Sequence, residues 1–294
     1  MPTTTVATQR PSTSRRLIAG LCVALLLVYL GAGIFFLSKQ DQMTFPAPRQ
    51  YAHATPTDAG VPFEDVHIPV NASEQIHAWW IPAASASDKV LLFFHGNGYV
   101  LDQTVRSGGE LIPFHRLPAN LLMIDYRGYG ASSPTIPNET RVYEDVRAAF
   151  TYLTTQRKVA ARNIIFVGRS IGSGSATEMA KEHPEAGGLI LISPFTSVPD
   201  AAKSIWYLRA FPVALMSHNQ FKNLSKIDSV HIPVLITVGT EDQITPPSMA
   251  QALFEKANQP KHLYRAPGAG HNDMIQAGGQ PLEEQMSTFL RSLQ

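Results

Sequence analysis

The chain is 294 residues long, and its 24 Lys and Arg residues nearly balance its 23 Asp and Glu residues, for a formal net charge of +1. This length suits one sizeable α/β domain with an appendage. A near-neutral chain without a basic cluster in its folded part argues against nucleic acid as a partner. Its one cysteine, Cys22, excludes an internal disulfide.

The most apolar segment lies near the N-terminus, where residues 17–37 carry no charged side chain. About 21 helical residues cross about 30 Å of hydrocarbon, so this segment is predicted to be a transmembrane signal anchor. The charged residues that flank it are Arg10, Arg15 and Arg16 before it, and Lys39 and Asp41 after it. The positive-inside bias predicts a cytoplasmic N-terminus, residues 1–16, and places the rest of the chain on the extracytoplasmic side, periplasmic or lumenal.

Two alternatives stay open for this segment. A cleaved secretory signal has a shorter apolar core of about 7–15 residues and a small-residue cleavage site. A buried helix of a soluble domain is the other alternative. The polar, proline-containing residues 38–62 are predicted to form a juxtamembrane linker, followed by a folded domain at residues 63–294.

Beyond the linker, apolar segments of strand length alternate with segments of helical periodicity. Strands are predicted at residues 63–70, 75–81, 89–94, 120–125, 163–167, 188–193, 233–239 and 262–265. Helices are predicted at 139–156, where apolar residues recur at helical spacing, and at 173–181. The alternation predicts an α/β fold built on a mostly parallel sheet.

The pattern G-x-S-x-G runs from Gly168 to Gly172 with Ser170 at its centre. It follows the apolar residues 164–167 and precedes the helix predicted at 173–181. A buried strand that turns sharply into a helix is the setting of a nucleophile elbow, which exposes the serine hydroxyl at the head of the sheet. The two flanking glycines have a steric reason, because only residues without a side chain pack against such a strained turn. Ser170 is therefore predicted to be a nucleophile.

A serine hydroxyl becomes a good nucleophile when a base, oriented by a third group, accepts its proton. Asp242 follows a predicted buried strand, and His271 lies in a glycine-flanked loop after the last predicted strand. Both residues come at carboxyl ends of strands and in the order nucleophile, acid, base, which predicts Asp242 as the acid and His271 as the base. Glu241 and Asp200 remain alternative acids.

The tetrahedral intermediate of acyl transfer needs two N–H donors for its oxyanion. One is expected from the residue after the nucleophile, Ile171, and the other from the loop after the strand predicted at 89–94. In that loop Asn97 lies between two glycines that let the backbone turn its N–H groups inward, so Asn97 is the predicted second donor; a plain Gly-Asn-Gly turn is the alternative. His95 precedes the nucleophile and is predicted to hold the loop by hydrogen bonding.

Two further charged features have predicted roles. The segment 125–130, with Asp125 and Arg127 after an apolar strand, is predicted to tie neighbouring loops together beneath the site rather than to bind a ligand. Arg169 has two open interpretations, a local salt bridge or a contact with an anionic group of the substrate.

An excursion separates the strands predicted at 188–193 and 233–239. It is short for an insert over a nucleophile, so it is predicted to form a small helical cap at about residues 198–230 over a fairly open site. Its large apolar residues are Trp206, Tyr207, Phe211, Leu215 and Met216. Either they line the site or they pack on the sheet, and both interpretations stay open.

Six motifs follow one another in a characteristic order: Phe94-His-Gly-Asn-Gly98, Ile124-Asp-Tyr-Arg-Gly-Tyr-Gly130, Gly168-Arg-Ser-Ile-Gly172, Pro194-Phe-Thr-Ser197, Gly239-Thr-Glu-Asp242 and Gly270-His-Asn-Asp273. From about residue 63 onward, the chain resembles an α/β-hydrolase of the membrane-associated group that includes Bem46 and the mammalian abhydrolase-domain 12, 13 and 17 proteins. The resemblance implies an eight-stranded, mostly parallel sheet flanked by helices. It also implies Ser170, Asp242 and His271 as the catalytic triad, with oxyanion donors at Asn97 and Ile171. The loop around Asn97 departs from the commoner His-Gly-Asn-x-Gly-Asn pattern.

The predicted function is that of a serine hydrolase that cleaves an acyl ester, thioester or lipid ester through an acyl-enzyme, without a metal or an organic cofactor. An apolar cap beside a membrane anchor favours a small-molecule or lipid-like acyl substrate. A serine peptidase, or a non-catalytic adhesion or scaffold protein on the same fold, are the alternatives.

Overall fold

A computed structural model describes residues 13–47, 54–106 and 109–293. The chain divides into two compact units, residues 1–40 and 41–294. The first helix, α1 (Thr13–Thr44), contains the predicted span and is long and apolar enough to cross a membrane. Its insertion and its orientation stay predictions, and most of the predicted cytoplasmic segment lies outside the described residues.

The range predicted as a linker, residues 38–62, contains regular structure where it is described. Helix α1 continues through Thr44, and a 3₁₀ turn follows at Pro56–Ala59. Phe45 and Val61 are buried in the core of the second unit. Part of this range therefore belongs to the folded body, while residues 48–53 lie outside the description; the proposed domain boundaries stay predictions.

Eight strands form one sheet in the order β1-β2-β4-β3-β5-β6-β7-β8. The strands are β1 (Glu64–Pro69), β2 (Gln75–Ile81), β3 (Val90–Phe94), β4 (Asn120–Asp125), β5 (Ile164–Arg169), β6 (Gly188–Ile192), β7 (Val234–Gly239) and β8 (Lys261–Ala266). Strand β2 runs antiparallel to both of its neighbours, and all other neighbouring strands are parallel. The predicted fold class is confirmed, because the long apolar runs are central parallel strands buried on both faces.

Helices cover both faces of this sheet. The remaining helices are α2 (Leu101–Val105), α3 (Leu111–His115), α4 (Glu139–Thr155), α5 (Gly172–Glu182), α6 (Val198–Ala202), α7 (Val213–Met216), α8 (Asn223–Lys226), α9 (Pro247–Lys256) and α10 (Met274–Ser292). Side chains alternate along each strand, so Leu92 and Phe94 pack with α4, α5 and α9, whereas Leu91 and Phe93 pack with α2, α3 and α10. Helix α10 is interrupted at Gly279, which has a φ of 45°.

The excursion between β6 and β7 forms a cap of short helices, as predicted, and its two halves differ. In the second half Phe221, Ile227 and Val230 are fully buried against the body. In the first half Trp206 and Leu215 are 79% and 88% exposed. The cap residues thus neither all pack on the sheet nor all line a cavity.

Candidate active site

Ser170 lies in a sharp turn between β5 and α5, with a φ of 51°. Positive φ is uncommon for a residue with a side chain, and it persists here because the flanking glycines allow very close packing. A Cβ at Gly168 would lie 2.3 Å from the carbonyl oxygen of Gly172, and one at Gly172 would lie 2.1 Å from the carbonyl oxygen of Phe94. The steric reason predicted for the two glycines is confirmed, and the turn leaves Ser170 partly exposed at the carboxyl edge of the sheet.

The structure brings together the three side chains that the sequence pattern singles out. His271 Nε2 lies 2.9 Å from Ser170 Oγ, and His271 Nδ1 lies 2.8 Å from Asp242 Oδ2. Asp242 follows β7 and His271 follows β8, so parallel strands deliver both to the edge where Ser170 stands. This arrangement can move a proton from the hydroxyl to the imidazole while the carboxylate holds the ring.

The Asp242 carboxylate is fixed by the turn that follows it. The main-chain N–H groups of Ile244 and Thr245 donate to Asp242 Oδ1 at 2.9 and 2.8 Å. Thr245 Oγ1 lies 3.0 Å from Asp242 Oδ2 and 3.0 Å from His271 Nδ1, and it donates to the carbonyl oxygen of Ser193. Burial raises the pKa of Asp242, but hydrogen bonds from His271 and Thr245 outweigh it and hold this pKa below its ordinary value.

Thr245 is a site residue that sequence reasoning missed. A hydroxyl three residues after an aspartate is the available signal, because an Asp side chain commonly accepts from the backbone two and three residues further on. The alternative acids lie elsewhere. Glu241 is exposed, and Asp200 accepts hydrogen bonds from Thr196 and Ser197 at the start of α6 and pairs with Lys203.

The loop after β3 lies against the nucleophile. A Cβ at Gly96 would stand 3.6 Å from Ser170 Cβ. His95 is fully buried and its Nδ1 lies 2.8 Å from the Gly96 carbonyl oxygen, so it holds the loop as predicted. The Asn97 side chain is exposed and accepts from the Tyr129 hydroxyl at 3.3 Å. The main-chain N–H of Asn97 stays the predicted oxyanion donor.

Ile171 caps the N-terminus of α5, where the first N–H groups of a helix have no partner within the helix. It is the residue directly after Ser170, so its N–H belongs to the turn that exposes the hydroxyl. Ile171 stays the other predicted donor.

Arg169 makes local contacts. Its Nη1 lies 2.5 Å from Glu110 Oε1, and both side chains are buried. Its Nη2 donates to the main-chain oxygens of Asn272 at 3.2 Å and His271 at 3.4 Å. The guanidinium lies 5.1 Å from the ring centroid of Tyr99. Of the two interpretations of Arg169, the structure supports the salt bridge. Arg169, the residue before the nucleophile, therefore pairs with Glu110 and also holds the main chain of the loop that carries His271.

The segment after β4 is structural, as predicted. Arg127 is buried and pairs with Asp145, Glu74 and Glu144, with N–O distances of 2.5, 2.6 and 2.6 Å. Asp125 Oδ1 accepts from the main-chain N–H of Leu101 at 3.1 Å. These bonds join β4 to the start of α2 and to α4 beneath the site. Among the described residues, no group of three or more His, Cys, Asp or Glu side chains is arranged to hold a metal ion.

Comparison with known proteins identifies the family of this chain. Residues 86–229 match a family model described as "Serine aminopeptidase, S33". The chain is 32% identical over 270 residues to the uncharacterized protein Rv2307c of Mycobacterium tuberculosis, covering 90% of this chain and 92% of that protein. It is also 32% identical over 219 residues to alpha/beta hydrolase domain-containing protein 17B of Xenopus laevis, covering 71% of this chain and 69% of that relative.

A solved structure shares the fold. The Pyrococcus furiosus esterase Pf2001 superposes with a TM-score of 0.70 at 21% identity, covering 84% of this chain and 96% of the esterase chain. The sheet architecture and the turn after β5 agree with the relatives at 32% identity, and together they assign the family. The chain belongs to the α/β-hydrolase family, in the group of alpha/beta hydrolase domain-containing protein 17B, and is a hydrolase.

Proposed function

We propose that this hydrolase is a serine enzyme that cleaves an acyl ester, thioester or lipid ester through an acyl-enzyme intermediate. The observation that carries the proposal is the continuous relay of Ser170, His271 and Asp242, with contacts of 2.9 and 2.8 Å. Side chains within hydrogen-bond reach in this order are what nucleophilic catalysis by serine requires.

In the acylation step Ser170 Oγ attacks the acyl carbonyl carbon, and its proton passes to His271 Nε2. The main-chain N–H groups of Asn97 and Ile171 donate to the oxyanion that forms. The bond from the acyl carbon to the leaving oxygen or sulfur then breaks, and His271 protonates the leaving group. Asp242 remains ionised throughout, because its pKa lies below the ordinary value.

Water completes the cycle. It attacks the acyl carbon while giving a proton to His271, and a second oxyanion forms at the same two donors. The bond from the acyl carbon to Ser170 breaks, the serine regains its proton, and the free acid leaves. These steps use no metal or organic cofactor.

We further propose that α1 anchors the chain in a membrane through residues 17–37, with residues 1–16 in the cytoplasm and the hydrolase domain on the extracytoplasmic side. The uncharged apolar stretch and the preceding arginines support this orientation. An enzyme held beside a bilayer meets lipid-like substrates at high local concentration, and the apolar cap favours acylated small molecules.

A serine peptidase is the second candidate, because the matching family model is described as a serine aminopeptidase. The same relay attacks an amide as well as an ester, so the distinction lies in the substrate pocket. A non-catalytic scaffold is disfavoured, because such a protein has no need for a strained serine beside an oriented imidazole.

A fluorophosphonate probe tests the proposal. The full-length protein is expected to react with the probe, and Ser170→Ala is expected to abolish the reaction. Ser173→Ala, a buried serine of α5, is the matched control. Labelling that survives Ser170→Ala refutes the assigned nucleophile. A panel of ester, thioester, phospholipid and aminoacyl-anilide substrates then separates esterase from peptidase.

A further inference from the structure

The first half of the cap exposes four large apolar side chains that together form what is here named the cap surface. Their exposed fractions are 40% for Ile205, 79% for Trp206, 48% for Tyr207 and 88% for Leu215. Isolated exposed apolar residues are ordinary, but a group of them within one short segment marks a binding surface. Trp and Tyr are the side chains enriched where a protein meets the headgroup region of a bilayer.

The exposure is not a failure of the cap to fold. Within the same segment Leu208 and Val213 are buried, so each short helix packs one face inward and presents the other. Trp206 and Tyr207 pack edge-to-face with ring centroids 5.7 Å apart, which orders the two exposed aromatic rings. The residues of the cap surface thus belong to short packed helices rather than to an unpacked loop.

Charge supports a lipid occupant. Residues 198–222 contain three basic side chains, Lys203, Arg209 and Lys222, and one acidic side chain, Asp200, so the formal net charge of the segment is +2. All three basic side chains are exposed. Basic residues beside exposed aromatic and aliphatic residues match an anionic lipid surface, whose headgroups attract cations and whose interior accepts apolar groups.

The cap is also tied to the point where the chain would leave the membrane. His218 Nε2 and Asn219 Nδ2 lie 2.6 and 2.7 Å from Asp41 Oδ1. Asp41 follows Leu37, the last residue of the proposed span, by four positions, which a chain covers in at most about 14 Å. His218 in turn is three residues from Leu215. Chain connectivity alone therefore keeps this part of the cap near the bilayer surface.

We propose that the cap surface is a second membrane contact, in which Trp206 and Leu215 enter the interface of an anionic bilayer. This inference rests on the proposed membrane anchor but not on the proposed chemistry. The cap begins at the end of β6, the neighbour of the strand that precedes the nucleophile. A cap that contacts the bilayer therefore brings the carboxyl edge of the sheet toward the lipid.

Tryptophan fluorescence tests the contact directly, because Trp206 is the one tryptophan, among the three of the chain, that lies in the cap. Trp79 and Trp80 belong to β2, four strands from β6, a separation of about 19 Å at ordinary strand spacing. The full-length protein is reconstituted into vesicles of brominated phosphatidylglycerol and phosphatidylcholine, and lipid quenching is measured. Trp206→Phe is expected to abolish most of the quenching. Ile136→Gln, which changes an exposed apolar residue outside the cap, is expected to leave it unchanged.

The outcomes separate the two proposals. Protein that floats with the vesicles but shows the same quenching after Trp206→Phe overturns the cap contact and leaves the anchor standing. Protein that does not float overturns both. Quenching that is equal with and without the anionic lipid overturns the role given to the basic residues. The Ser170→Ala variant is expected to be quenched like the wild type, because the measurement requires no hydrolysis.

Discussion

His271 and His95 both lie near a carboxylate at the carboxyl edge of the sheet, but their two ring nitrogens meet different groups. His271 lies between Asp242 at 2.8 Å and the Ser170 hydroxyl at 2.9 Å. His95 lies 2.8 Å from the carbonyl oxygen of Gly96 and 3.5 Å from Asp125 Oδ1, and it is completely buried. Burial lowers the pKa of His95 and favours its neutral form.

A histidine that contacts a carboxylate through one ring nitrogen acts as a base only when its other ring nitrogen faces a group that can lose a proton. At His271 that nitrogen faces a hydroxyl that can lose a proton. At His95 the Nδ1 faces a carbonyl oxygen, which can only accept, so this ring serves as a fixed donor that shapes a loop.

Removal of the base gives the largest expected effect. His271→Ala is expected to lower kcat by about 10⁶-fold, because the members of such a relay act as one unit. Steady-state hydrolysis of a soluble ester measures the loss, and circular dichroism confirms that the variant is folded. A loss below about tenfold contradicts the role given to His271.

Removal of the carboxylate charge gives the next effect. Asp242→Asn is expected to lower kcat by about 10⁴-fold, because the neutral amide no longer orients the ring or stabilises its cation. The matched controls are Glu241→Gln and Asp200→Asn, which change the two acids that the structure sets apart. If either control loses as much activity as Asp242→Asn, the acid is wrongly assigned.

Acidification is expected to reduce kcat/KM by about tenfold per pH unit once the base is protonated. Hydrogen bonds hold the pKa of Asp242 below its ordinary value, so this carboxylate keeps its charge, and its contribution to stability, until the pH falls below about 4. Activity lost while Asp242 still carries its charge therefore belongs to the other ionisable member of the relay, His271. A flat profile down to about pH 4 argues against a histidine base.

The Arg169 and Glu110 ion pair is expected to act through the position of the base. Arg169→Lys keeps the charge but loses the fork that bonds Glu110 and the main chain at His271. We expect kcat to fall by about tenfold with KM unchanged, because the change misplaces a catalytic group rather than a binding group. Arg147→Lys, on the more exposed pair with Glu182, is the control. Equal losses in both variants refute a positioning role.

Changes at His95 are expected to alter stability more than activity. His95→Ala is expected to lower the free energy of unfolding by about 1–3 kcal/mol, because it leaves buried polar groups without a partner. His95→Asn retains an N–H donor for Gly96 and is expected to keep activity within about threefold. Urea unfolding and ester hydrolysis measure the two effects. A His95→Asn variant as inactive as His271→Ala refutes the contrast.

His95 also has a pH signature. Its pKa is lowered in the folded state, so the unfolded chain binds the additional proton, and stability decreases as the pH falls through the ordinary histidine range toward the lower folded pKa. In His95→Asn this contribution is expected to vanish. Unfolding measured at about pH 7 and pH 5.5 tests the difference, and an unchanged slope contradicts it.

Local patterns in the sequence determined the strands, the elbow and the order of Ser170, Asp242 and His271. Apolar runs specify buried strands, and only glycine tolerates the contacts made at Gly168 and Gly172. Both features can therefore be predicted from the sequence without tertiary information. The parallel fold class follows from the alternation of strands and helices.

Tertiary structure alone decided which distant residues complete the site. Glu110 is separated from Arg169 by 59 positions, and no local pattern marks it as the partner of that arginine. Thr245 joins Asp242, His271 and Ser193 only because β6, β7 and β8 end side by side. Likewise, both halves of the cap contain large apolar residues, and only packing against the body determines which of them are buried. Strand order and packing bring together residues that are distant in the sequence. A local sequence pattern specifies neither of the two, so these contacts could not be predicted.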